Sequence, residues 1–169
     1  ISVAVSDKPD GKYEYLGVVR NADGTPFMKY ICFDPAVMND NGIIRLYYGT
    51  RYPFDEMQYP IVKNILHVVM SKVFGRTVKE VKNAKDSLMG PIHVELADDM
   101  LTVKSNPVRI IPSIVKNTEF EKYPFFEASS IRKIGDTYYF IYSSMSSHEL
   151  CYATSKYPDR DFIYRGVII

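Results

Sequence analysis

Hydrophobic and polar residues alternate along most of the chain, in short runs that turn-forming residues separate. A period of two is typical of β-strands that bury one face. The clearest case is the stretch 125–144, where two runs rich in aromatic and β-branched residues flank Gly135 and Asp136. Because glycine readily adopts the positive φ of a tight turn, this stretch predicts a β-hairpin.

The same pattern predicts four more hairpins, at residues 2–20, 33–50, 92–111 and 151–169. The first and last of these align without a gap and share Ala, Ser, Pro, Asp, Tyr, Gly and Val in register. The hairpin at 33–50 shares its layout with that at 125–144, each with an aromatic residue and an acid ahead of a strand, a turn and a Tyr-rich strand. Internal repetition of short antiparallel strands is typical of a β-propeller.

One part of the chain departs from this pattern. Between residues 61 and 74 the apolar residues fall at helical spacing, which predicts an amphipathic helix: Ile61, Ile65, Leu66, Val69, Met70 and Val73. Thr77 and Glu80 have the spacing of a capping box, so a second short helix is expected to run to about residue 88. We therefore predict a helical insertion at about 61–88 in an otherwise all-β fold.

Counting hairpins gives about two and a half four-stranded blades in a single partial propeller domain. Residues 1–20 would form the outer half of a blade, 33–111 a blade with the helical insertion, and 125–169 a further blade. A propeller closes with about four to eight blades. We therefore expect a fragment whose open strand edges are covered by the remaining blades or by another chain.

Composition narrows the range of partners. The chain has 169 residues, is 46% hydrophobic and carries a net charge of +1, so it can bury a core and gives no reason to expect a nucleic-acid or membrane partner. His67, His93 and His148 lack metal-site spacing, and no phosphate-binding loop is present. We expect neither a metal nor a cofactor.

Two acids have positions that suggest chemistry. The first strand of a blade lies beside the central channel, and Asp34 and Glu127 each stand near the start of such a strand. They are predicted to hold equivalent places in two copies of one unit and to meet at one mouth of the channel. Either acid alone has a structural interpretation, since Asp-Pro often opens a turn and an exposed Glu is often only solvated.

Two carboxylates in an aromatic-lined mouth suit glycosidic bond cleavage, because burial and a neighbouring charge keep one carboxyl protonated near neutral pH. Glu127 is the better placed acid, and Asp34 would hold a fixed negative charge beside it. The candidate substrate contacts around them are Phe33, Phe126, Arg51 and His148.

The sequence resembles a known family at these same places. Phe-Phe-Glu-Ala-Ser-Ser-Ile-Arg-Lys-Ile and Tyr-Tyr-Phe-Ile-Tyr-Ser-Ser in 125–144, Phe-Asp-Pro-Ala in 33–36 and His-Glu-Leu-Cys-Tyr-Ala-Thr-Ser in 148–155 are similar to glycoside hydrolase family 43. The resemblance implies a five-bladed propeller that cleaves arabinofuranosyl or xylosyl linkages of plant-type hemicellulose with inversion. It makes Glu127 the general acid and Asp34 the residue that tunes and orients it. The general base would be an Asp on an inner strand that this sequence does not contain.

Two alternatives stay open at this point. A retaining five-bladed propeller of the fructan-hydrolase type would place its two carboxyls closer, about 5–5.5 Å apart rather than about 6.5–9.5 Å. A non-catalytic carbohydrate-binding propeller fragment would bind sugar in the aromatic mouth without cleaving it.

The missing base generates a first prediction. The purified 169-residue chain should release no pentose from xylosides or arabinosides, because acid and modulator without a base cannot activate water. Product analysis by chromatography tests this. Turnover by a preparation free of any longer form would contradict it.

Overall fold

The computed structural model describes residues 1–28, 31–51, 59–73, 75–82, 89–112 and 115–169. Within these ranges the strands are β1 Ser2–Val5, β2 Glu14–Val18, β3 Ala36–Asp40, β4 Ile43–Tyr48, β5 Ile92–Leu96, β6 Val108–Arg109, β7 Phe125–Ile134, β8 Thr137–Ser144, β9 Leu150–Ser155 and β10 Ile163–Val167. The helices are α1 Pro60–Val73 and α2 Val78–Lys82. Neither described helix is long and apolar enough to cross a membrane.

The strands form three antiparallel sheets that follow chain order. β1 pairs with β2, the second sheet has the order β3-β4-β5-β6, and the third runs from β7 through β8 and β9 to β10. The helices lie in the chain between β4 and β5. The predicted content of about two and a half blades is confirmed.

The repeat between the two ends of the chain extends to individual residue pairs. Each pair in β1–β2 recurs in β9–β10 with both members shifted by 149 positions: Ser2–Val18 as Cys151–Val167, Val3–Gly17 as Tyr152–Gly166, Ala4–Tyr15 as Ala153–Tyr164 and Val5–Glu14 as Thr154–Ile163. Both pairings skip one residue at the same point, Leu16 in one and Arg165 in the other. The two hairpins are thus copies of one outer half-blade, bulge included.

The prediction of one strand over residues 100–111 is wrong in length. Only the two residues of β6 pair with β5 as a strand. Pro107 has no N–H to give to a ladder, and the backbone N–H of Glu95 donates to the hydroxyl of Ser105 at 2.8 Å instead of to a carbonyl. The fourth strand of this blade is therefore short.

The first helix forms where its spacing predicts, but the face it buries differs from the amphipathic expectation. His67 and Ser71 are 4% and 8% exposed, whereas Ile61 is 77% and Ile65 is 59% exposed. The helix rests on a small cluster of Ile31, Val81 and Met89 through its half-buried Leu66 and Met70. These contacts set the rotation of the helix and leave most of its aliphatic side chains outside.

The capping box before the second helix is present. The hydroxyl of Thr77 accepts from the N–H of Glu80 at 3.2 Å, and the Glu80 carboxylate accepts from the N–H of Thr77 at 2.8 Å. α2 ends at Lys82 among the described residues, and the rest of the predicted helix, residues 83–88, lies outside them.

A close backbone approach marks where the insertion leaves and rejoins its sheet. The N–H of Gly90 donates to the carbonyl of Thr50 at 2.8 Å. Gly49 has φ of 136°, and a Cβ built there would lie 2.0 Å from the carbonyl oxygen of Gly90. Any larger residue at Gly49 would push these segments apart, so glycine is required here.

Two hydrophobic clusters join the sheets. The aromatic core lies between the second and third sheets and includes Tyr47, Phe125, Ile131, Tyr138, Phe140 and Tyr142. The aliphatic core lies between the first and second sheets and includes Val19, Phe27, Leu46, Ile92, Val94 and Leu96. The sheets therefore pack face to face, as the blades of a propeller do.

A buried charge cluster ties β3 to the third sheet at the end of β3 that lies away from Asp34. The carboxylate of Asp40 accepts from Arg45 Nε at 3.0 Å, from Lys133 Nζ at 2.8 Å and from the Tyr138 hydroxyl at 2.6 Å. Arg45 also donates to Glu95 at 2.7 Å. Burial raises the pKa of Asp40, but the three hydrogen bonds outweigh it and lower that pKa to about 2.

Replacing Asp40 by Asn should destabilise the fold by about 2 kcal/mol at pH 7, because the buried guanidinium of Arg45 loses one of its two carboxylate partners and keeps only Glu95. The folded-state pKa of Asp40 lies below its ordinary 3.8, so its charge stabilises the fold above about pH 4. The difference in the free energy of unfolding between the unchanged protein and the variant should shrink as pH falls from 3.8 through 2. Urea unfolding across this range measures it.

Asp136→Asn, in the exposed β7–β8 turn, is the matched control and should change stability by less than about 0.5 kcal/mol. An equal loss of stability in the two variants would contradict the conclusion that the charge cluster around Asp40 stabilises the fold.

Candidate active site

The two predicted acids lie at the same end of neighbouring sheets. Asp34 stands two residues before β3, and Glu127 is the third residue of β7. The backbone N–H of Ala128, next to Glu127, donates to Asp34 Oδ2 at 3.2 Å. A side chain of one blade thus holds the backbone of the next blade beside the other acid.

The chain bends sharply at both places. The pairing of β7 with β8 is irregular on each side of Glu127, which marks β-bulges there. Ala128 has φ of 61° and Asp34 has φ of 42°, both in the left-handed region that residues other than glycine seldom occupy. Such strain is concentrated at functional sites, where the surrounding fold imposes it.

The expectation that Asp34 and Glu127 hold equivalent places is wrong by one residue. The pair Ala36–Tyr47 recurs as Ser130–Ile141, with both members shifted by 94 positions. The Gly49 N–H donates to the carbonyl of Phe33 at 2.7 Å, and this link recurs at the same shift as the pair Glu127–Ser143. The shift therefore takes Phe33 to Glu127 and Asp34 to Ala128. The two acids therefore meet from adjacent positions of the repeat, and the two left-handed residues are the true equivalents.

The surroundings of Glu127 favour its protonated form. Partial burial raises the pKa of Glu127 above its ordinary value, and the charge of Asp34 raises it further. His148 acts in the opposite direction and lowers it. Desolvation and a like charge are the two effects that prepare a carboxyl group to donate a proton near neutral pH.

Three of the four proposed substrate contacts lie around this pair. The rings of Phe126 and His148 meet edge to face, with centroids 5.2 Å apart. His148 is exposed and has φ of 61°. Phe33, directly before Asp34, is 41% exposed, which is unusual for such a large apolar side chain.

Arg51, the fourth proposed contact, is largely buried. The residue is 7% exposed, and its Nη1 lies 3.0 Å from the sulfur of Met145. The backbone N–H of Arg51 donates to the carbonyl of Phe126 at 2.8 Å. This bond is a second link between the two blades at the mouth.

Three further groups at the mouth cannot be recognised from the sequence alone. Ala128 contributes through its backbone N–H, so its side chain carries no signal. The hydroxyls of Thr50 and Ser129 are buried with no hydrogen-bond partner in the part of the chain that the structure describes. Within the same ranges, no three His, Cys, Asp or Glu side chains come together as metal ligands.

Relatives of known activity match the chain along its whole length, although no protein-family model matches it. A xylosidase/arabinosidase of Thermoclostridium stercorarium is 43% identical over 175 residues, which cover 100% of this chain and 31% of that protein. A β-xylosidase of Xylanibacter ruminicola is 30% identical and is covered to 49%. The solved structure of CoXyl43, a family 43 β-xylosidase/α-arabinofuranosidase from a compost metagenome, superposes with a TM-score of 0.62 at 25% identity, over 99% of this chain and 48% of that one.

The resemblance to glycoside hydrolase family 43 is confirmed. It runs through the acid-bearing hairpins and the outer strands alike. The fold class, a partial five-bladed β-propeller, is confirmed with it. The chain spans about a third to a half of the length of these relatives.

The proximity of Asp34 and Glu127 gives a prediction that can be tested without any catalytic activity. Asp34→Asn keeps an oxygen that can accept from Ala128 but removes the negative charge, so the pKa of Glu127 should fall. Titration of the Glu127 carboxyl followed by carbon NMR measures this. Asp136→Asn is the control and should leave the pKa unchanged. An unchanged or higher pKa in the Asp34 variant would show that its charge does not act on Glu127.

Proposed function

We propose that the protein containing this chain is a glycoside hydrolase that cleaves xylosyl or arabinofuranosyl linkages with inversion. The observation that carries the proposal is the contact across two blades in which Asp34 holds Ala128 and raises the pKa of the adjacent Glu127. A carboxyl group protonated near neutral pH, next to a fixed negative charge, is what leaving-group protonation requires.

In the proposed reaction Glu127 gives its proton to the glycosidic oxygen as the bond from that oxygen to the anomeric carbon breaks. A water molecule attacks the anomeric carbon from the opposite face and loses a proton to a general base. For inversion, this base must lie about 6.5–9.5 Å from the acid, which leaves room for the water. We propose that the base comes from a blade outside residues 1–169.

Asp34 has two proposed roles, and both act through Glu127. Its charge opposes ionisation of Glu127, which keeps the proton available for transfer. Its Oδ2 accepts from the N–H of Ala128, which fixes the bulge and hence the direction of the neighbouring acid. Asp34 is thus a positioning residue in this proposal, whereas Glu127 is a catalytic one.

The substrate class follows from the relatives together with the aromatic mouth. CoXyl43 was solved in complex with xylotriose, and the relatives are named xylosidase or arabinosidase. We propose a plant-type oligosaccharide or polysaccharide rich in these pentoses. Phe33, Phe126 and His148 would contact the sugar rings at the mouth, and Arg51 would border them.

Glu127→Gln tests the acid role. General acid catalysis contributes about 10²–10⁴-fold, so kcat/KM for xylo-oligosaccharides should fall by about 10³-fold in the full-length protein. Aryl glycosides with an activated leaving group need little protonation and should lose much less. Steady-state kinetics on both substrate classes, with Glu119→Gln as an exposed control, gives the comparison.

An equal loss on both substrate classes would contradict the acid role. The anomer formed first, read by proton NMR, tests the stereochemistry. Retention of configuration would support the fructan-type alternative, and binding without turnover in the full-length protein would support a carbohydrate-binding function.

A further inference from the structure

One carboxylate closes the loop that carries His148. Residues 145–148 form this loop, between Ser144 at the end of β8 and Glu149 just before β9. The N–H of Ser144 donates to the carbonyl of Glu149 at 2.9 Å, so these two residues form the base of the loop. Oε2 of Glu149 also accepts from the hydroxyl of Ser144 at 2.6 Å and from the N–H of Ser147 at 3.0 Å. The hydrogen bond from Ser144 lowers the pKa of Glu149, so the group is a carboxylate at neutral pH and acts only as an acceptor.

Two further hydrogen bonds attach the first half of the loop to the chain that leads into β7. The N–H of Met145 donates to the carbonyl of Pro124 at 2.9 Å. The hydroxyl of Ser146 donates to the carbonyl of Lys122 at 2.8 Å. Because β7 carries the candidate acid, these bonds place the loop at the mouth. The second half of the loop is held by the Glu149 carboxylate through Ser147.

His148 lies between the two residues that this last bond joins. Its φ of 61° is left-handed, a conformation that persists in a residue other than glycine where the surrounding contacts impose it. Its ring meets that of Phe126 with centroids 5.2 Å apart, and its charge lowers the pKa of Glu127. The loop closure thus determines where a side chain of the mouth stands.

The second blade shows that a blade can form without this carboxylate. The shift of 94 positions that relates the two blades takes Thr50 to Ser144. Both residues are fully buried. The hydroxyl of Thr50 has no hydrogen-bond partner in the part of the chain that the structure describes, whereas that of Ser144 has Glu149. The carboxylate is therefore particular to the loop that carries His148.

We propose that Glu149 is a positioning residue, which holds His148 against Phe126 so that the imidazole contacts the sugar ring beside Glu127. This inference rests on the proposed function, in which His148 borders the substrate. Glu149 acts by geometry and not by charge. Both of its side-chain hydrogen bonds reach one oxygen atom, and an amide oxygen in the same place can accept them as well.

Titration of the Glu127 carboxyl in the full-length protein, followed by carbon NMR, tests the positioning. Glu149→Ala and Glu149→Gln remove the same charge, but only glutamine keeps an oxygen for Ser144 and Ser147. Because the charge of His148 lowers the pKa of Glu127, a displaced His148 should leave this pKa higher in the alanine variant than in the glutamine variant. Equal pKa values in the two variants would overturn the proposal.

Steady-state kinetics of the same variants with xylotriose tests the contact with the sugar. In Glu149→Ala, KM should rise about tenfold while kcat changes by less than about threefold, because the lost contact stabilises the bound substrate and the transition state alike. Glu149→Gln should keep KM within about threefold of its value in the unchanged protein.

Glu80→Ala is the matched control. Oε2 of Glu80 likewise accepts from one hydroxyl and one backbone N–H, both of Thr77, so a general effect of losing such bonds would appear in both alanine variants. Its KM should stay unchanged. An unchanged KM in Glu149→Ala, or an equal rise in Glu80→Ala, would overturn the proposal. Absence of turnover in the unchanged full-length protein would refute the proposed function instead, and the titration would still decide whether Glu149 places His148.

Discussion

The geometry of the mouth depends on how β3 is fastened at its two ends to the third sheet. Before the strand, Asp34 accepts a hydrogen bond from the backbone of Ala128. At its end, the buried carboxylate of Asp40 binds Lys133 and Tyr138 of the third sheet. Two side chains, one just before this short strand and one at its end, therefore fix the relative position of two blades. The separation of the acids follows from that position, because each acid belongs to a different blade.

The same arrangement explains why strain collects at the mouth. Asp34 and Ala128 are both left-handed, at φ of 42° and 61°, and each such residue costs about 1 kcal/mol or more. The hydrogen bond between them and the packing of the aromatic core behind them offset this cost. In return, the bulge at β7 turns Glu127 toward Asp34, where burial and the like charge raise its pKa. Strain and the raised pKa thus have one structural origin.

The division of the molecule into blades also determines which parts of the proposed machinery this chain contains. The acid and its modulator lie on neighbouring blades, so a chain of two and a half blades holds both. β1 and β2 repeat the register of the last two strands of the third sheet, and among the described residues β1 pairs only with β2. A propeller site is assembled from successive blades around one channel, so a part of the chain can hold a fully formed half of the site.

The sequence by itself determined the hairpins, their turns, the capping box of α2 and the repeat of 149 positions, because each depends on residues close in the chain or on a direct match of letters. It also named Asp34 and Glu127, which the structure brings together. Only the tertiary structure decided that Glu127 corresponds to Phe33 and not to Asp34, because the correspondence depends on which residues pair across the strands, and the letters of the two hairpins do not specify that register. It likewise decided that α1 buries His67 and exposes Ile61, since the rotation of a helix is set by the surface it packs against and not by its own periodicity.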